Sequence, residues 1–279
     1  MGYYTPDTVP DALKALRQGD ATIIAGCTDY FPTRSEPCAP TSLVDITRVA
    51  GLRGVSQTAD GWKIGAATTW SDVIKADLPC AFDGLKMAAR EVGSVQIQNA
   101  GTLVGNLCNA SPAADGVPPL LTLGAELEVV SLRGTRRLPL ADFITGVRQT
   151  DMARDEMVLA IHIPAPEAGA RGYFLKLGAR KYLVISIAMV SALVALEADG
   201  RIATARVAVG ACSAVAQRLV GLEAALIGQT IDQLKAQPDI WARHLTPLAP
   251  ISDVRGSSDY RQQVAGELCM RAVMGAIND

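Results

Sequence analysis

Histidine is nearly missing from this chain of 279 residues: only His162 and His244 occur, far apart and without a carboxylate or cysteine at useful spacing. That removes His-based metal sites and Ser-His or Cys-His catalytic arrangements from consideration. Six cysteines stand at positions 27, 38, 80, 108, 212 and 269, and none forms a CxxC pair. A zinc ribbon, or an iron–sulfur cluster held by closely spaced thiolates, is therefore not expected, and no metal site is assigned to this chain. There is no GxxxxGK[ST], and no GxGxxG opens a helix, so P-loop and Rossmann readings lose their support. Clustered positive charge is absent too: the net charge is −2 and the Lys and Arg residues are scattered, which leaves no footprint for nucleic acid. The longest nearly uncharged run, Tyr182 to Leu196, is too short for membrane insertion. Met1 to Pro6 shows no basic region followed by an apolar one, so a cytoplasmic location with reduced cysteines is expected.

What is present is a compact globular composition, 49% hydrophobic and 19% charged. Residues 7–19 read as an amphipathic helix, with Val9, Leu13 and Leu16 on one face and Gly19 as its C′ residue. Short strands follow at Ala21–Ala25, Ser42–Ile46 and Gly61–Ala66, then helices at Asp72–Ala76 and Leu85–Glu91. Glu156–Ile163 alternates as a strand and is stopped by Pro164 and Pro166. The Pro164–Ala170 break marks a domain boundary. Beyond it, Arg171–Leu177, Val184–Glu197 and Ile202–Val209 read as strands, the last two joined by a turn at Asp199-Gly200. Leu219–Leu226, Ile231–Ala236 and Tyr260–Ile277 read as helices, so the second part is a small antiparallel sheet backed by helices.

Two stretches do not look like ordinary packing. Gly26-Cys27-Thr28-Asp29 follows a buried strand, and Gln98 to Asp115 holds glycines four apart among small polar residues. Each has too few large apolar side chains for a core and too little charge for a linker. Backbone amides from two such turns can meet a diphosphate, because small residues let the chain come closest to the anion. A plain strand-to-helix turn is the alternative for the first of them. Cys27 reads as a small buried thiol rather than a nucleophile. Asp29 reads as a partner of local amides, and Lys176 as a contact to ligand or solvent.

Ala25-Gly26-Cys27-Thr28-Asp29, Gly101-Thr102-Leu103-Val104-Gly105-Asn106 and Ala110-Ser111-Pro112-Ala113-Ala114-Asp115 closely resemble the two FAD-diphosphate loops of a known family. It comprises the flavin-binding medium subunits of the xanthine dehydrogenase/carbon monoxide dehydrogenase (molybdenum hydroxylase) enzymes. Leu140–Ile144, Glu156–Pro164, Phe174–Leu177, Val207–Ala211 and Arg255–Arg261 resemble its later segments in order and spacing. The resemblance implies an α+β chain with a two-part FAD-binding fold of the vanillyl-alcohol oxidase type (1–168, divided near 52/53). A C-terminal domain at 169–279 would carry a three-stranded antiparallel sheet with helices.

By position, the resemblance places Ile23, Ile24, Ala25, Gly26, Cys27, Thr28, Asp29, Thr102, Leu103, Val104, Gly105 and Asn106 around the diphosphate and ribitol. Ala110, Ser111 and Asp115 would lie at the adenosine ribose or nearby, Val158 at the adenine, and Lys176 and Ile185 toward the isoalloxazine ring. It also implies a large molybdopterin subunit and a small subunit with [2Fe-2S] clusters, assembled as a heterohexamer. Electrons would pass through FAD to an acceptor such as NAD, oxygen or quinone. The family usually has glycine where Cys27 and Val104 stand, so both are expected to keep negative φ. A flavin-free scaffold subunit and a self-sufficient flavin oxidase are the alternative functions.

Overall fold

A computed structural model of the chain describes residues 2–17, 21–32 and 42–278. The helix Val9–Arg17 buries Ala12, Leu13, Ala15 and Leu16 as its spacing predicts; Gly19, read as its C′ residue, lies outside the described residues, as does Cys38. It packs on a parallel sheet of strands ordered Tyr3–Tyr4, Ser42–Asp45, Ala21–Ile24. Parallel strands deliver their carboxyl ends to one edge, the usual place for a ligand crevice. The turn after Ile24 leaves from that edge.

Residues 55–164 build an antiparallel sheet in the order Val55–Thr58, Gly61–Gly65, Met157–Pro164, Glu126–Ser131, Gly134–Pro139. Helices Trp70–Lys75, Asp83–Glu91, Val95–Ala100, Leu103–Asn109 and Val117–Thr122 are inserted between its strands. They bury Leu85, Leu103, Leu107 and Leu120 in a core continuous with that of the first sheet and its helix, which contribute Val44 and Leu13. On the central strand the pairing with Glu126–Ser131 slips between Val158 and Ala160, a bulge. His162, on this strand, has its Nε2 2.7 Å from Glu128 Oε2, with Lys63 Nζ 3.6 Å from the same oxygen. The histidine does have a carboxylate partner after all. Spacing along the chain hid it because a neighbouring strand supplies it.

The C-terminal part has the three expected long strands, Arg171–Leu177, Ala188–Leu196 and Ile202–Gly210, plus a two-residue fourth, Gln217–Arg218. Every residue of Ala188–Leu196 but the last is buried, because the helix Ser258–Asn278 covers one face and Asp83–Glu91 and Val117–Thr122 lie against the other. A strand covered on both faces reads as an unbroken apolar run. Strand Arg171–Leu177 comes so close to the helical turn Cys80–Phe82 that a β-carbon on Gly172 would stand 2.3 Å from the Ala81 carbonyl oxygen. The expected strand start at Val184 is not observed; pairing begins at Ala188. Leu183 has a φ of 52° and Arg180 Nε donates to the carbonyls of Tyr182 and Leu183, which fixes 178–187 as a loop.

Asp253, before the last helix, accepts from the Arg255 amide at 2.8 Å and from Arg261 Nη2 at 2.6 Å. The Arg255 amide first, and then Arg261, hold its carboxyl down to about 2, against 3.8 for the free side chain. A carboxyl depressed in the folded state contributes stability above its unfolded value and loses it as pH falls through its folded value. Melting wild type beside Asp253→Asn should show a gap near neutral pH that shrinks below about pH 4 and closes near the folded value. A gap independent of pH would contradict this.

Candidate functional site: a cleft between two glycine turns

The turn Ala25–Asp29 and the turn at Ala100–Gly101 are in direct contact. A β-carbon on Gly26 would sit 1.9 Å from the Ala100 carbonyl oxygen and 2.7 Å from Gly101 Cα, and one on Gly101 would sit 3.1 Å from Thr28 Oγ1. The first glycine is thus needed by the second turn, before any ligand is considered. Cys27 has a φ of 58°, which corrects the expectation of a negative value; Val104, inside a helix, keeps one. The left-handed conformation explains why glycine is usual at this position. Among the described residues no hydrogen bond takes up the backbone N–H of Gly26, Cys27 or Thr28. Successive free amides around a left-handed residue form a concave anion site.

The Cys27 thiol donates to the Ala25 carbonyl at 3.4 Å, and burial, reinforced by the Asp45 carboxylate, pushes it up. A protonated, locally bonded thiol fits the structural reading of Cys27. Holding a side chain in the left-handed region costs about 1 kcal/mol or more. Cys27→Gly should therefore fold at least as stably and keep its ligand, whereas Cys27→Val should melt several degrees lower, as calorimetry would show.

The stretch 98–115, whose backbone was expected to lie against a diphosphate, is mostly helical. Ser94 and Thr102 cap the helices Val95–Ala100 and Leu103–Asn109, with Thr102 Oγ1 accepting from Gly105 N at 3.0 Å. Two predicted residues do not face the cleft. Leu103 is fully buried and gives its N–H to the Thr68 carbonyl, while Ala110 is the left-handed C-cap, φ 46°, buried beneath the turn. Asn106 Oδ1 accepts from Gly116 N at 3.2 Å, tying the helix to the segment that carries Asp115.

Asp115 makes the floor. Its Oδ2 lies 2.7 Å from Lys176 Nζ and its Oδ1 accepts from Ser186 Oγ at 2.9 Å, with the Lys and Asp side chains only 5% and 9% exposed. Burial pushes the Asp115 carboxyl up, against the pull of the Lys176 ammonium and the Ser186 hydroxyl. Lys176 is therefore committed to a buried ion pair rather than to solvent. Asp29 likewise reaches beyond its own turn, accepting from Asn109 Nδ2 at 2.9 Å.

These elements enclose a cleft of about 1440 Å³ that all the predicted site residues line except Leu103 and Ala110. Leu183, in the segment Tyr182 to Ile185 that the resemblance brings toward the flavin ring, lines it too, while sequence reasoning missed Thr22, Ile46, Asn109, Arg148 and Met152 among others. Their segments carry no local motif; an indirect mark is strain, since among the described residues three of the five non-glycine positions with positive φ, Cys27, Arg148 and Leu183, border the cleft. The volume exceeds the roughly 300–1000 Å³ of pockets for drug-sized molecules. Free amides for an anion and apolar walls from Ile24, Val158 and Met152 suit a dinucleotide with a large ring.

Residues 1–166 match the family described as "FAD binding domain in molybdopterin dehydrogenase", and residues 173–276 match the "CO dehydrogenase flavoprotein C-terminal domain". The chain belongs to this family. It is an FAD-binding medium subunit of the molybdenum hydroxylase family and an oxidoreductase subunit. The chain is 31% identical to the nicotine 6-hydroxylase medium subunit of Paenarthrobacter nicotinovorans, covering 98% of this chain and 96% of that one. It is 29% identical to a putative xanthine dehydrogenase FAD-binding subunit of Escherichia coli, over 99% and 95%. Its fold superposes on the reconstituted CO dehydrogenase from Oligotropha carboxidovorans with a TM-score of 0.93 at 26% identity, covering 99% and 97% of the two chains. The α+β class and the FAD-binding domain inferred from the glycine turns thus hold. Among the described residues no helix is long and apolar enough to cross a membrane.

Proposed function

We propose that the chain relays electrons from the iron–sulfur clusters of a small partner subunit, filled by substrate hydroxylation at molybdopterin in a large one, to an acceptor such as NAD, oxygen or quinone. The observation that carries this reading is the cleft whose wall offers the amides of Gly26, Cys27 and Thr28, which no hydrogen bond takes up among the described residues. Bound FAD supplies the redox chemistry, so the chain needs no nucleophile or metal of its own. The protein's part is position and polarity. The amides at 26–28, with Thr102, Val104, Gly105 and Asn106, hold the diphosphate. Val158 lies at the adenine end, and Lys176, fixed by Asp115, with Ile185 at the flavin end. The FAD-binding parts are 1–52 and 53–168, and 169–279 closes the cleft with Lys176 and the 178–187 loop.

Relatives bear the names "medium subunit" and "medium chain", which supports separate large and small partners. A heterohexamer of two copies of each, in the cytoplasm, is the assembly proposed. Native mass spectrometry of the tagged chain purified from its own cells tests it. Two copies each of this chain, a molybdopterin protein and a [2Fe-2S] protein are expected. Recovery of this chain by itself, carrying flavin, would support a self-sufficient oxidase instead.

A further inference from the structure

Three cleft-lining residues from distant parts of the chain form a strap. Arg148 Nη1 donates to the backbone carbonyl of Asn109 at 3.1 Å and also to its side-chain Oδ1, and Asn109 Nδ2 donates onward to Asp29 Oδ2 at 2.9 Å. The Arg148 backbone is held in the left-handed region, φ 58°, with its N–H on the Ala110 carbonyl at 2.8 Å. A strained, non-glycine residue at the tip of the hairpin Ile144–Gly146/Gln149–Thr150, fixed at both main chain and side chain, is a placed residue. Its Nε and Nη2 take no partner among the described residues.

Electrostatics say what such a guanidinium is for. An anion in the 26–28 nest lies beside the Asp29 carboxylate, which opposes it. Lys176, also on the cleft wall, is consumed by Asp115. Backbone amides provide charge-assisted bonds but only partial charges, and a diphosphate leaving water is held more tightly where a full countercharge stands beside them. The strap supplies one: it ends on Asp29, one residue past the nest, and carries a guanidinium whose remaining donors are open. A planar fork suits phosphate oxygens better than an ammonium does.

We propose that Arg148, positioned by Asn109, is a cation that binds the anionic diphosphate of the nucleotide in this cleft. This rests on the FAD reading above. Its test uses the full chain stripped of flavin and titrated with FAD, with ADP, which has the diphosphate but not the ring, and with riboflavin, which has the ring but not the diphosphate. Arg148→Ala should weaken FAD and ADP by about 10- to 100-fold and leave riboflavin within about twofold. It should also flatten the salt dependence of ADP binding. Arg148→Lys should recover part of the loss, and Asn109→Ala should weaken FAD and ADP in the same sense without removing the charge. Equal loss for all three ligands would make Arg148 a purely structural residue and overturn the proposal, as would unchanged FAD and ADP binding. Wild-type chain that binds none of the three would instead overturn the FAD reading on which it rests.

Discussion

Gly26→Val should abolish flavin retention and lower the melting temperature by about 10 °C. The reason is a contact between two turns of the protein, 1.9 Å from a β-carbon at 26 to the Ala100 carbonyl oxygen. The obstacle is backbone, which cannot swing aside as a long side chain does, so the turns must part. Forced overpacking of this kind costs about 1–3 kcal/mol, and the upper end applies where backbone must move. At the few degrees per kcal/mol typical of larger domains that gives the shift stated. Moving the first turn also disperses the amides at 26–28, so binding falls together with stability. A Gly26→Val protein that keeps its yellow colour and its melting point would mean that the turns are not packed together.

Asp115→Ala should be the other severe substitution. It strands the Lys176 ammonium, 5% exposed, without its 2.7 Å partner, and it also releases Ser186. Removing one member of a buried pair costs about 3–5 kcal/mol, because the remaining charge is left uncompensated in a poor solvent. Replacing both, as Asp115→Leu with Lys176→Met, should recover most of that stability, since the desolvation penalty of the pair disappears with it. Urea unfolding of Asp115→Leu, Lys176→Met and the double variant closes the cycle. A cost below about 1 kcal/mol for Asp115→Ala would show that water reaches the pair. Recovery of stability without recovery of flavin would place the pair's charges in ligand binding as well.

Local signals and tertiary pairings differed in how far the sequence disclosed them. The helix Val9–Arg17 and the strand Met157–Pro164 were legible because their side-chain periods report which face is buried. The run 98–115 has too few large apolar residues to show a helical period, so its helices are not legible in the sequence. The caps at Ser94 and Thr102 and burial of Leu103 and Leu107 hold those helices instead. Cys27 was expected at negative φ because a β-carbon disfavours the alternative; the turn it completes is fixed by packing against Ala100, which no local pattern reports. The pairs Asp115–Lys176, Glu128–His162 and Asn109–Arg148 join positions 61, 34 and 39 residues apart. Such partners are set by strand order and loop docking, so composition and spacing cannot show them. Most of the predicted residues nevertheless line the cleft, because the two glycine turns are themselves contiguous segments.

Titration of FAD into the flavin-stripped wild-type chain is the most direct test of the two-turn clamp. One equivalent per chain should bind, survive gel filtration, and raise the melting temperature, as a ligand at about 100 times its Kd adds roughly 2.7 kcal/mol to the folded state. No saturable binding and an unchanged melting temperature would contradict it.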